Sequence, residues 1–219
     1  MIPKLYAHPF SSYCQKVLIA LYENEVPFDY RELGPKDPDA MAELQARWPF
    51  ARFPLLVDDG RTVVESTVMI EHLMLAHGGR VRWLPDDPVQ ALEVRFLDRF
   101  FDQHVMTPMQ APVAEVIRAK PDRRDEAMAE SARLLDLAYG WLEQRLADRT
   151  WAAGENVSLA DCAAAPSLFY ADWVRPIGPA FPTVRAYRER LLAWPAFARA
   201  VSEARPYRHL FPLGAPDRD

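Results

Sequence analysis

The sequence predicts a chain in two parts, an α/β half of order β-α-β-α-β-β-α followed by an all-α helical bundle. Three observations predict it. Short apolar runs and a hairpin turn alternate with helical spacing as far as residue 77. Pro85 and Pro88 then punctuate a stretch without clear periodicity. Beyond it, strand patterns nearly vanish and long helical patterns take over.

The elements follow in order. Lys4-Leu5-Tyr6-Ala7 reads as a short strand. Val17, Leu18, Leu21 and Tyr22 recur at helical spacing over 12–24. Residues 26–33 alternate apolar and polar, as a strand does. A turn at 34–39 leads into a short helix at 39–47. Phe53-Pro54-Leu55-Leu56-Val57 is a strand, Asp58-Asp59-Gly60 is a hairpin turn, and 61–65 pairs back. From Ser66, the residues Val68, Met69, Leu73 and Ala76 mark a helix. It ends near His77-Gly78-Gly79, where glycine can take the left-handed cap. Residues 1–79 make the first domain, 80–88 a linker and 89–219 the second domain. In the second, 89–118 is a long helical pattern that Pro108 and Pro112 should kink. Another covers 122–147. Ser158 and Asp161 have capping-box spacing and open an Ala-rich helix to about Trp173. Shorter helices are expected near 183–193 and 195–203, with an irregular tail from Pro206.

Composition narrows the function. Half of the 219 residues are apolar and six are Trp. A chain of this size buries roughly 70% of its unfolded surface. The net charge of −5 argues against nucleic acid or an anionic membrane as main partner, since both need a basic patch. Two cysteines far apart make no disulfide framework, which points to a reducing compartment. No apolar run reaches the roughly 18 residues of a membrane span, and the start carries no apolar signal core. A soluble, cytoplasmic protein is expected. The five histidines lack metal-ligand spacing, and no phosphate loop or nucleotide fingerprint occurs.

Four local motifs remain: Ser11-Ser12-Tyr13-Cys14 at the first strand-helix junction, Arg52-Phe53-Pro54, Glu65-Ser66, and the Ser158…Asp161 cap. In this order, on this element pattern, they resemble the cytosolic glutathione S-transferase superfamily, in its serine-type (theta/zeta-like) form. The resemblance covers nearly the whole chain. It implies a thioredoxin-like first domain joined to a helical bundle.

The first motif carries the chemistry. Thioredoxin-like proteins place Cys-x-x-Cys at this junction. Here Ser11 holds the first position and Cys14 the last, which removes dithiol redox chemistry. A hydroxyl remains at the helix mouth. The resemblance implies that Ser11 donates a hydrogen bond to the sulfur of glutathione, the cosubstrate. A free thiol has a pKa of about 8.5 and is only about 3% thiolate at pH 7. A donor and a helix N-terminus both favour the anion. Ser12 is the alternative donor, and Cys14 an alternative reactive thiol. Either serine could instead be a plain helix cap.

The resemblance further implies a cis proline at Pro54, with the main chain of Phe53 pairing to glutathione like an added strand. Arg52 would face the glycyl carboxylate. Ser66 and the amides after it would take the γ-glutamyl carboxylate at a helix start, with Glu65 beside its ammonium. An apolar pocket for an electrophile should lie between the domains, from Phe10, Phe101, His104, Met106, Thr107 and Tyr207. The activity implied is transfer of glutathione to a small hydrophobic electrophile, in a homodimer and without a metal. A glutathione-dependent isomerase, dehalogenase or peroxidase, or a non-catalytic binding module, would use the same fold.

Overall fold

The computed structural model describes residues 2–119 and 121–219. In the first half, β1 (Lys4–Ala7), α1 (Ser12–Glu23), β2 (Asp29–Glu32), α2 (Ala40–Arg47), β3 (Leu55–Asp58), β4 (Arg61–Val64) and α3 (Ser66–His77) follow the expected order. The four strands form one mixed sheet in the order β2-β1-β3-β4. β1 runs parallel to β2, with Leu5 opposite Tyr30, and antiparallel to β3, with Leu5 opposite Leu56. The parallel step needs a crossover, and α1 supplies it. Leu5, Ala7 and Leu56 pack with α1 and α3, while Tyr6, Leu33 and Leu55 pack with Ala40 and Leu44 of α2. That division is the strand alternation of inward and outward side chains. β2 is shorter than the alternating run 26–33 suggests, because Val26-Pro27-Phe28 precede the ladder as a loop.

The second half holds α4 (Pro88–Phe100), a π-helical segment (Phe101–Met106), α5 (Thr107–Ile117), α6 (Pro121–Arg145), α7 (Leu159–Val174), α8 (Pro182–Ala193) and α9 (Pro195–Ala204). A 3₁₀ turn, Arg205–Leu210, replaces the expected irregular start of the tail. α7 is the hub. Every residue from Leu159 to Asp172 is buried, as an apolar helix without a polar face requires. Its small residues let α1, α4 and the π segment close on it. Asp161 fixes its start. That carboxylate accepts from the Ser158 N–H at 2.8 Å, the Ala152 N–H at 2.9 Å and the Tyr187 hydroxyl at 2.6 Å.

The region 89–118 differs from a simple proline-kinked helix. The break is the π segment, which ends just before Thr107-Pro108. Pro108 has no N–H to continue the α-ladder. The Thr107 hydroxyl donates to the Asp102 carbonyl at 2.9 Å within the same turn. A π turn adds a residue per turn and so rotates every later side chain relative to α4. One core spans both halves: Leu18 and Ile19 of α1 belong with Ala163 and Leu168 of α7. No helix among the described residues is long and apolar enough to cross a membrane.

Candidate active site

Two adjoining cavities lie where the halves meet. The first is polar, about 370 Å³. The segment before β3 contributes Arg52, Phe53 and Pro54, and the β4–α3 junction contributes Glu65 and Ser66. All five residues expected to hold glutathione line this one space. Arg52 is exposed and makes no ion pair among the described residues. The Phe53–Pro54 peptide is cis.

Glu65 has φ 69°, in the left-handed region that a non-glycine residue avoids. Such a backbone costs about 1–3 kcal/mol and persists where its surroundings enforce it. Here the Glu65 carbonyl accepts from the Met69 N–H at 2.9 Å and so closes the first turn of α3. No side chain caps that helix start. The first-turn amides of α3, beginning at buried Ser66, therefore keep their donors for another acceptor.

The second cavity is mostly apolar, about 210 Å³. Phe10, Ser11 and Ser12 form one wall, Met109 and Val113 of α5 another, and Phe211 and Pro212 the outer rim. Gln110 lines both cavities, so they join beside it. Tyr170 fixes the Phe10–Ser11 loop from behind. Its hydroxyl donates to the Phe10 carbonyl at 3.0 Å, and its ring meets Phe10 edge-on at 5.5 Å.

Ser11 is the residue before α1. Its N–H donates to the His8 carbonyl at 3.0 Å, and its carbonyl accepts from Gln15 N–H at 2.9 Å. Its hydroxyl makes no capping bond. The hydroxyl thus caps no amide; it lies by the Cys14 thiol at the start of α1, on the wall of the apolar cavity. Ser12 lines the same wall but is only 6% exposed; Ser11 is the more open.

Cys14 is corrected as an alternative reactive thiol. It is fully buried, and burial pushes its thiol up to about 12, against the opposing pull of the Ser11 hydroxyl and the His8 N–H. It is a packing residue. The expected pocket is corrected too. Phe10 lines the apolar cavity, but Thr107 lines the polar one. Phe101 and Met106 are buried in the core. His104 packs on the Phe100 ring at 5.2 Å and faces a separate hollow with Trp141. Tyr207 donates to the Glu32 carboxylate at 2.5 Å and stands edge-on to His8. The cause is the π segment: it turns 101, 105 and 106 into the core and brings 107 and 110 to the site.

The sequence reading did not single out Tyr13, Arg99 or Gln110 as site residues. Thr107 and Gln110 are one helical step apart, a signal that the assumed continuous helix obscured. Tyr13 lines the polar cavity, and burial followed by the Asp102 carboxylate pushes its phenol up to about 12. It stays a neutral donor there.

This geometry agrees with the comparisons to known proteins. Residues 5–81 match the family described as Glutathione S-transferase, N-terminal domain, and residues 104–195 match Glutathione S-transferase, C-terminal domain. The chain belongs to the glutathione S-transferase superfamily. Glutathione is the cosubstrate of that family. Among curated relatives, a probable maleylacetoacetate isomerase of Caenorhabditis elegans is 26% identical over 93% of this chain and 95% of its own length. Glutathione S-transferase GstB of Escherichia coli K12 is 25% identical over 87% and 93%. A glutathione transferase homologue from Drosophila mojavensis, solved with bound glutathione, has a TM-score of 0.81 at 22% identity and 98% coverage of both chains. A glutathione S-transferase of Methylobacillus flagellatus, also glutathione-bound, has a TM-score of 0.77 at 22% identity, covering 90% of this chain and 98% of that one. The last two show the fold of this superfamily.

Proposed function

We propose that this glutathione S-transferase is of the serine type and transfers glutathione to a small, uncharged, apolar electrophile. One observation carries the reading: a polar cavity with an uncapped helix start opens beside an apolar cleft, and Ser11, whose hydroxyl caps no backbone amide, sits on the cleft wall. The first-turn amides of α3 take the γ-glutamyl carboxylate, and Glu65 pairs with the neighbouring ammonium. The Phe53 main chain pairs with the cysteinyl backbone, and exposed Arg52 takes the glycyl carboxylate. Glutathione supplies the thiol nucleophile. Ser11 donates to its sulfur, and the start of α1 adds its positive end. A shift of two pKa units needs about 2.7 kcal/mol and makes most of the thiol ionised at pH 7. Phe10, Met109 and Val113 hold the electrophile next to it, so proximity supplies much of the rate.

The similarity to a probable maleylacetoacetate isomerase supports a second reading. An acetoacetate-type substrate brings a carboxylate. The apolar cleft has no Lys, Arg or His in its lining, and a buried unpaired carboxylate is costly. The transferase reading is therefore the better supported. Product analysis separates the two. A transferase consumes glutathione and forms a conjugate with an uncharged electrophile such as an aryl halide. Regenerated free glutathione with an isomerised product would support the isomerase. Retention on immobilised glutathione with no electrophile consumed would support a binding module.

We further infer a homodimer. Val68 and Leu75 on α3 and Leu92 and Phe96 on α4 are exposed, and Phe50 before β3 is 70% exposed. A hollow of about 290 Å³ between Phe100, Pro108, Leu134 and Trp141 offers a receptor for such a side chain. We assign residues 1–79 and 89–219 as the two domains, with 80–88 as the linker, whose last residue, Pro88, already begins α4. The two free, buried cysteines support a reducing, cytoplasmic setting.

A further inference from the structure

Ser11 can serve a bound thiol only if the loop ahead of it is held in one geometry. That loop, His8-Pro9-Phe10-Ser11, joins the end of β1 to the start of α1. Pro9 has no main-chain N–H, so the donors to be satisfied are those of His8, Phe10 and Ser11. His8 N–H donates to Cys14 Sγ at 3.4 Å, and Ser11 N–H donates to the His8 carbonyl at 3.0 Å. Phe10 N–H donates to the His8 ring at Nδ1, 3.2 Å away. The carbonyls are held from other elements. Buried Gln15 of α1 donates to the Pro9 carbonyl at 3.0 Å, and Tyr170 of α7 to the Phe10 carbonyl at 3.0 Å.

The Phe10 bond fixes the state of the His8 ring. An amide N–H only donates, so Nδ1 keeps its lone pair and the ring proton sits on Nε2. Burial holds the imidazole below its ordinary value; Glu32 opposes this and Lys36 adds to it. The ring is therefore neutral at pH 7 and remains an acceptor. Tyr207 sets its tilt, edge-on at 4.8 Å, and Tyr207 is itself tied to the Glu32 carboxylate at 2.5 Å. His8 lines neither active-site cavity, so any effect it has on the reaction passes through the loop.

We propose that His8 is a positioning residue for the reaction: its Nδ1 holds the Phe10 amide and thereby keeps the Ser11 main chain where the serine hydroxyl reaches the sulfur of bound glutathione. The proposal rests on the serine-type reading above. Without the acceptor, the Phe10 N–H loses its partner inside the loop, and the residue next to Ser11 is free to turn.

Thiolate absorbance in the complex of the full chain with glutathione provides the test. His8→Leu removes the acceptor and should raise the half-ionisation pH of the bound thiol by about one unit, the scale of one hydrogen bond. His8→Asn places Oδ1 where Nδ1 stands and should recover most of that loss. His8→Gln sets its oxygen one bond farther out, where Nε2 stands, and should behave like His8→Leu. The glutamine variant is polar at a half-buried position, so it carries the test if the leucine variant does not fold. Wild-type ionisation in His8→Leu and His8→Gln, with Ser11→Ala raised, overturns the positioning role and leaves the serine reading standing. An asparagine variant as impaired as the leucine one overturns the Nδ1 assignment. Glutathione that ionises in the wild-type complex only at the pH of the free thiol removes the serine reading, and this proposal with it.

Discussion

Lys16 Nζ on α1 lies 2.5 Å from Asp98 Oδ1 on α4, and both side chains are 1% exposed. Asp102 Oδ2 stands 2.9 Å from the same ammonium, and Thr67 on α3 accepts from it at 2.9 Å. This buried cluster joins the two halves, and Asp102 also lines the polar cavity. Removing one member of a buried pair costs about 3–5 kcal/mol, because the partner charge is left unpaired. Lys16→Met should lose that much stability in urea unfolding. Adding Asp98→Leu should recover part of the loss, and additive losses would show that the pair is not coupled.

Glu65→Gly should separate stability from function. Glycine adopts φ 69° without steric cost, so the variant should gain up to about 1 kcal/mol of stability. It also removes the carboxylate proposed to pair with the glutathione ammonium. Thermal unfolding and the KM for glutathione should both rise. A lower melting temperature would refute the strain.

Cys14→Ala should keep wild-type turnover. In the native protein Cys14 should resist alkylation, since its thiol is fully buried and raised to about 12. Rapid native alkylation of Cys14 with loss of activity would return it to the mechanism.

Asp58 sets an acid limit on stability. Its Oδ2 lies 2.8 Å from Nε2 of both His72 and His77 on α3. Burial pushes its carboxyl up, but the two imidazoles outweigh burial and hold it below the ordinary range. A carboxyl depressed on folding stabilises above its unfolded pKa, and the contribution is lost as pH falls through the folded value. The stabilisation should therefore fade below about pH 4. Asp58→Asn should flatten that acid limb in pH-dependent unfolding. An unchanged limb would assign the effect to other carboxylates.

Much of this was legible beforehand. The order β-α-β-α-β-β-α is written in local periodicity and the Asp58-Asp59-Gly60 turn, which depend on near neighbours. The five residues Arg52, Phe53, Pro54, Glu65 and Ser66 were implied by the family resemblance, and they line one cavity because they flank β3 and open α3. The apolar cleft was not legible for the opposite reason. Its lining depends on the phase of a long helix, and the π segment at 101–106 has no sequence signal of comparable strength. Phe101, Met106 and His104 were expected on the wrong side as a result. Tyr170 reaches the site only through tertiary packing, 160 residues from Phe10 along the chain.

The most direct measurement is an ultraviolet titration of the enzyme–glutathione complex, following thiolate absorbance in wild type and Ser11→Ala. Ser11 makes no capping bond, so the variant should fold with near wild-type stability. Donation from Ser11 predicts half-ionisation about two units below the free thiol's pKa of about 8.5 in wild type, with most of that shift lost in Ser11→Ala. Identical curves for the two proteins, or thiolate forming in wild type only at the pH of free glutathione, would contradict it.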